Sequence, residues 1–149
     1  MKKIFEQLDK QLIVSCQALV DEPLHSAEIM ARMAVAAEQG GAKGIRANSV
    51  VDIQAIKKAV DLPVIGIIKK DFDDSEVFIT PTIEEVKALL FAGVDMIATD
   101  ATDRKRPQGE TLQNIVEYVQ THAPDVALMA DVSTVEEGIS AEKIGFDCV

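Results

Sequence analysis

The chain has 149 residues, of which 48% are hydrophobic, 4% are aromatic and none is tryptophan. It is long enough for one domain with a core of Ile, Val, Leu, Ala and Met, and too short for two. A net charge of −10 repels phosphate backbones and so excludes nucleic acid as a partner, whereas a locally basic site for a small anion stays open.

The N-terminal stretch "MKKIFEQLDKQLIV" (1–14) reads as a short helix over 2–9. Its Glu6, Gln7 and Asp9 interrupt any signal-peptide core. No run approaches ~18 consecutive apolar residues, so no membrane span is expected and the location expected is cytoplasmic. Cys16 and Cys148 form no C-x-x-C pair and read as buried free thiols.

From there apolar strand-like runs alternate with amphipathic stretches. Strands are expected at "QLIVSCQ" (11–17), "AKGIRA" (42–47), "PVIGIIK" (63–69), "VDMIATD" (94–100), "VALMADV" (126–132) and "FDCV" (146–149). Helices are expected over 26–39, 50–60, 82–92, 110–122 and 134–144. Such alternation predicts β-α units around a parallel sheet, and near-continuous apolar strands predict that both sheet faces are covered. Glycines at 40–41, 93 and 145 close helices just before strands. "TIEE" (82–85) and "TVEE" (134–137) fit the capping box, with Thr82 and Thr134 as N-caps. Ser26 and Ser49 are N-cap candidates for two further helices. Ile29, Met30, Met33, Ala34 and Ala37 make one apolar helix face, so these methionines belong to a core.

The polar residues gather at the strand C-termini. The first strand ends in Ser15 and Gln17, the second in Arg46 and Asn48, the third in Lys69, the fourth in Asp100 and the fifth in Asp131. Side chains alternate along a strand, so Ile65, Ile67 and Lys69 share one face. The same holds for Met96, Ala98 and Asp100, and for Ala127, Met129 and Asp131. Parallel α/β folds place their chemistry at this edge. Lys70 has the opposite parity and reads as a surface or helix-packing residue. A lysine in apolar surroundings loses hydration, which disfavours its charged form; the neutral amine then serves as a general base or forms a Schiff base. His25 and His122 belong to no cluster that would bind a metal. "DFDDSE" (71–76) lacks the glycine and terminal glutamate of a calcium loop and reads as a solvated loop or hairpin. "DRKRPQGE" (103–110) carries Arg104 and Arg106 and is either a contact for an anionic substrate or a loop packed by ion pairs.

The stretches "LIVSCQALVDEPLHS", "GGAKGIRAN", "PVIGIIKKDFDDSEVFITPT", "DATDRKRPQGE" and "MADVSTVEEGISAEKIGFDCV" resemble, in order and over nearly the whole chain, the bacterial N-acetylmannosamine-6-phosphate 2-epimerases. The resemblance implies a (β/α)₈ TIM-type barrel and the interconversion of N-acetylmannosamine 6-phosphate and N-acetylglucosamine 6-phosphate in sialic acid breakdown, with no metal and no organic cofactor. It implies that Lys69 is the proton-transfer base. Gln17 and Arg46 would then orient a phosphorylated N-acetylhexosamine, and Asp131 would hold the sugar or the lysine.

A complete barrel has about 250 residues and eight strands, so the expectation for residues 1–149 is a single partial barrel domain of about six strands. The family's second proton-transfer glutamate and its late phosphate loops have no counterpart here. The isolated chain is therefore expected to be impaired or inactive, and its open sheet edges to favour self-association into a homo-oligomer. Two other readings stand beside this one: a phosphosugar aldolase or decarboxylase with Lys69 as Schiff base, and a non-catalytic fragment that keeps the Gln17, Arg46, Lys69 and Asp131 face.

Overall fold

The computed structural model describes residues 2–149. Helix α1 (Lys3–Leu8) comes first, and strands and helices then alternate: β1 (Ile13–Cys16), α2 (Ala27–Gln39), β2 (Gly44–Asn48), α3 (Val50–Ala59), β3 (Val64–Ile67), α4 (Ile83–Ala92), β4 (Met96–Asp100), α5 (Leu112–His122), β5 (Ala127–Asp131) and α6 (Val135–Ile144). A single 3₁₀ turn, Pro107–Gly109, lies between β4 and α5.

The helix starts follow their capping residues. Thr82 and Thr134 form full capping boxes with Glu85 and Glu137, which satisfies the first orphan amides of α4 and α6. Ser26 accepts from Ile29 N, and Ser49 accepts from Asp52 N. Gly93 and Gly145 end α4 and α6 at φ 78° and 106°, a backbone region that suits a residue without Cβ.

The strands pair in parallel in the order β1-β2-β3-β4-β5. Their alternation sorts the side chains between two faces. Cys16, Ile45, Ala47, Ile97, Leu128 and Ala130 point toward the helices and join Met30, Ile53, Leu89 and Ile115 in the main core. Ile65, Ile67, Met96, Ala98 and Ala127 point to the other face and meet Ile4 of α1. Helix α1 thus plugs the N-terminal end of the inner face, and Lys2 ties it down by bonds to Val126 O at 2.7 Å and to Asp147 at 2.8 Å. The sheet curls around this inner face as an open stretch of a (β/α) barrel wall.

The expected strands are trimmed, and one is replaced. "FDCV" forms no strand among the described residues; Cys148 makes one parallel bridge to Met129. Backbone bonds from Ala130 N to Cys148 O and from Asp147 N to Leu128 O give it the direction of a sixth strand. Five strands therefore stand where six were expected. β3 ends at Ile67 rather than at residue 69. β3 pairs with β4 only as far as Gly66 and Ile97, and from Ile68 onward the chain pairs instead with residues 78–80 as a hairpin. Lys69 sits in that hairpin, bridged to Ile79.

Candidate active site

A cleft of about 460 Å³ opens at the C-terminal ends of β1, β2 and β3. Its polar lining comes from Ser15, Gln17, Glu22, Arg46 and Lys69, and Leu19, Ile67 and Ile79 supply its apolar walls. Three larger hollows lie elsewhere: one of about 550 Å³ beside Lys2 and Lys3 at the N-terminal end of the sheet, and two of about 650 Å³ each. Of the last two, one is beside α6 and the other is at the α1 end; both are mainly apolar, and Lys10 is the single cation among their lining residues.

Three residues predicted from parity and resemblance, Gln17, Arg46 and Lys69, converge in this cleft. Gln17 Nε2 donates to Ser15 Oγ at 2.7 Å. Arg46 makes a fork-to-fork pair with Asp131: Nη1 to Oδ1 at 3.0 Å and Nη2 to Oδ2 at 2.6 Å. Asp131 thus reaches the site through Arg46. Its carboxylate holds the arginine, not the lysine. Lys69 is half-buried. Its backbone N donates to Asn48 Oδ1 at 2.9 Å, while among the described residues no side chain bonds or ion-pairs with its Nζ. Lys70 behaves as its parity predicts. It pairs with Glu85 at the start of α4 at 3.1 Å and lies over the Phe72 ring.

Asp100, Arg104 and Arg106 line no part of the cleft. Asp100 is 6% exposed, and its Oδ1 accepts from Thr102 N at 2.9 Å and from Thr102 Oγ1 at 2.7 Å. It shapes the turn after β4. Arg104 lies between Asp100 and Glu76, 3.7 and 4.0 Å away. Arg106 is buried and donates to backbone carbonyls of Thr80, Pro81 and Asp100. Burial pushes its guanidinium below the ordinary arginine value, and the nearby carboxylates of Asp100, Glu110 and Glu85 oppose that shift. Of the two readings of the "DRKRPQGE" loop, packing is the one these contacts favour. No length of periodic pattern announces a buried arginine in a polar loop.

The sequence does not point to Glu22, and it places Asn48 at the end of the second strand without giving it a role. Glu22 lines the cleft from the β1–α2 loop, where its carboxylate accepts from Leu19 N. Asn48 shares strand parity with Arg46, and that was the available signal for it; its role is to hold the Lys69 backbone. Ser49, next in the chain, has φ 76°, a strained backbone for a residue with a Cβ, of the kind that gathers at functional sites. Among the described residues no group of three or more His, Cys, Asp or Glu is placed to hold a metal. Among the described residues no helix is long and apolar enough to cross a membrane. Both cysteines are free, Cys16 buried and Cys148 half-buried. Burial, then the charges of Asp147 and Asp131, push the Cys148 thiol up to about 11.

Comparison with known proteins gives one consistent result. The family model described as "NanE: Putative N-acetylmannosamine-6-phosphate epimerase" matches residues 30–149. A curated relative from Oceanobacillus iheyensis, named "Putative N-acetylmannosamine-6-phosphate 2-epimerase", is 57% identical over 98% of this chain and 66% of its own length. A Clostridium perfringens relative of the same name is 60% identical over 93% of this chain and 62% of its own. A solved structure of the N-acetylmannosamine-6-phosphate 2-epimerase from Clostridium perfringens superimposes with a TM-score of 0.95 at 55% identity, covering 98% of this chain and 63% of that one. The chain thus spans somewhat less than two thirds of the length of these relatives.

Proposed function

The chain belongs to the N-acetylmannosamine-6-phosphate epimerase family, and from that premise we propose that it carries the Lys69 side of a site interconverting N-acetylmannosamine 6-phosphate and N-acetylglucosamine 6-phosphate. The C2 proton of these sugars is acidic only beside a C1 carbonyl, so the reaction runs on the ring-opened form. The Lys69 amine takes that proton, and the C–H electron pair moves into the carbonyl to give an enolate. Return of a proton from water to the opposite face of C2 gives the other epimer, and Lys69 releases the proton it took to the hydroxide so formed. No redox partner enters the balance. Lys69, once protonated, is the cation that faces the enolate, while Arg46 and Gln17 line the same cleft and offer donors to the sugar's polar groups.

The observation that carries this reading is the division of labour between the two cations of the cleft. Arg46 is neutralised by Asp131 at 2.6 and 3.0 Å, whereas the Lys69 amine has no protein partner among the described residues. An amine that faces the cleft with no carboxylate paired to it is free to exchange a proton with a bound sugar.

The test is incubation with N-acetylmannosamine 6-phosphate in D₂O, with C2 deuteration and epimer formation followed by NMR and Lys69→Ala as the control. Deuteration that depends on Lys69 is the expected result. Absence of deuteration, or deuteration unchanged in Lys69→Ala, overturns the proposal. Borohydride added with the substrate is expected to leave Lys69 unmodified, where a Schiff-base aldolase would be trapped as a covalent adduct.

A further inference from the structure

A side chain outside the cleft, Arg106 of the β4–α5 loop, ties the end of β4 to the β3–α4 loop that carries Lys69. Arg106 is 5% exposed. Its Nε donates to Pro81 O at 3.1 Å, its Nη2 to Thr80 O and Thr99 Oγ1 at 2.9 Å each, and its Nη1 to Asp100 O. Every guanidinium nitrogen is committed, chiefly to backbone carbonyls of the β3–α4 loop and of the end of β4. A buried planar fork used in this way fixes backbone geometry.

The backbone it fixes is unusual. Thr80 is fully buried with φ 47°. A β-branched residue adopts that conformation only when its surroundings impose it. Thr80 is also the closing rung beside Lys69. Its N donates to Ile68 O at 2.7 Å, its Oγ1 accepts from Ile68 N at 3.3 Å, and the same hydroxyl donates to Ala98 O at 2.7 Å. Residues 79 and 80 therefore fill the gap where β3 leaves β4, with Asp100 N donating to Ile79 O at 3.1 Å. On the other side of Lys69 the only side-chain hold on its backbone among the described residues is Asn48.

We infer that Arg106 is a positioning residue for Lys69: it holds Thr80 in the left-handed conformation that keeps the 68–70 and 78–80 segments paired, and that pairing aims Lys69 into the cleft. The inference rests on the reading of Lys69 as the proton-transfer base. It assigns Arg106 an effect on the rate and none on substrate affinity.

The experiment compares Arg106→Lys, Thr80→Ala and Thr80→Ser with the parent chain in the D₂O assay across substrate concentration. Amide exchange at Lys70 and Thr80 is measured in parallel. Misplacing a reacting group by ~1 Å costs about 100-fold, so Arg106→Lys and Thr80→Ala are expected to slow deuteration at saturating substrate by roughly 10- to 100-fold with KM nearly unchanged. Thr80→Ser keeps the hydroxyl and is expected to retain the rate. Amides of Lys70 and Thr80 are expected to exchange faster in Arg106→Lys, while Ile45 in β2 stays protected. That last amide separates local loosening from unfolding. A raised KM at an unchanged saturating rate overturns the inference and makes Arg106 a substrate contact; unchanged Lys70 and Thr80 protection overturns it as well. If the parent chain shows no Lys69-dependent deuteration, the proton-transfer reading fails on its own. The inference is then decided by the ratio of Lys69 to Lys70 acetylation, which an Arg106→Lys change must alter if Arg106 positions the lysine and must leave unaltered if it does not.

Discussion

Arg46 on β2 and Asp131 on β5 form a two-pronged ion pair although β3 and β4 lie between their strands in the sheet. Strands stand about 4.8 Å apart, so on a flat sheet the two Cα atoms would be separated by about 14 Å, beyond easy reach of the pair. The contact requires the sheet to curl, and it spans the mouth of that curl above the inner cluster of Ile65, Ile67, Met96, Ala98 and Ala127. One interaction therefore belongs both to the curvature of the fold and to the electrostatics of the cleft.

Removing one partner leaves the other charge partly desolvated. Asp131→Asn is expected to destabilise the chain by about 1–3 kcal/mol, below the value for a fully buried pair because both side chains keep some contact with water. Urea midpoints would measure this. A double-mutant cycle with Arg46→Met should give a coupling of the same order, and strict additivity would mean that the pair contributes nothing.

Gly66 is the close-packing point of β3. A Cβ there would stand 2.5 Å from Val94 Cγ1 and 2.9 Å from Leu89 Cδ2. Gly66→Ala must push α4 and the start of β4 outward. The expected cost is about 1–3 kcal/mol, read as a lowered urea midpoint. Gly41→Ala is a contrasting variant: nothing lies within 4 Å of a Cβ there, but φ is 99°, so any loss would come from backbone strain alone.

Lys70 separates the paired lysines by function. Its contact with Glu85 is solvent-exposed on the lysine side, so Lys70→Met is expected to cost under about 1 kcal/mol and to leave deuteration intact. Loss of deuteration in Lys70→Met comparable to that in Lys69→Ala would contradict the assignment of the two roles.

Acid should loosen the loops at the cleft end of the sheet. Glu137 accepts from Asp103 N, Ser133 N and Thr134 N, and these bonds hold its carboxyl below the ordinary glutamate value. Burial alone would raise Glu85, but bonds from Thr82 and Lys70 outweigh it and bring that carboxyl below its ordinary value too. For a depressed carboxyl, the stabilisation is complete above the unfolded value of about 4.3 and is lost as pH falls through the native value. Asp52 has the opposite sign. Burial raises its pKa despite the opposing charge of His25 and a bond from Ser49, so its contribution to stability declines as pH rises through the interval between its unfolded and native values. Urea midpoints from about pH 6 to 3 should fall with acid, and Glu137→Gln should flatten the slope. An unchanged slope in that variant would remove Glu137 as a source of the acid sensitivity.

Much of this architecture was legible in the residues themselves. Capping boxes at Thr82 and Thr134, glycines after the helices and the strand parity that separates Lys69 from Lys70 are local signals. Each depends on a few neighbouring residues and on fixed periods of 3.6 and 2, so the chain order of strands and helices follows from them, as does the convergence of Gln17, Arg46 and Lys69 at one sheet edge. The ordered motifs, too, are a property of sequence alone. What only the tertiary structure decided depends on residues brought together from far apart. Arg46 meets Asp131 across 85 positions, because the sheet curls. Arg106 turns inward because the backbone carbonyls of Thr80, Pro81 and Asp100 converge on it, and buried carbonyls must be bonded. β3 stops at Ile67, and beyond it the backbone bonds to residues 78–80 rather than to β4, a pairing between segments that no local signal sets. Local propensity sets where an element forms; only the closed accounting of charge and hydrogen bonds in three dimensions sets what each polar side chain touches.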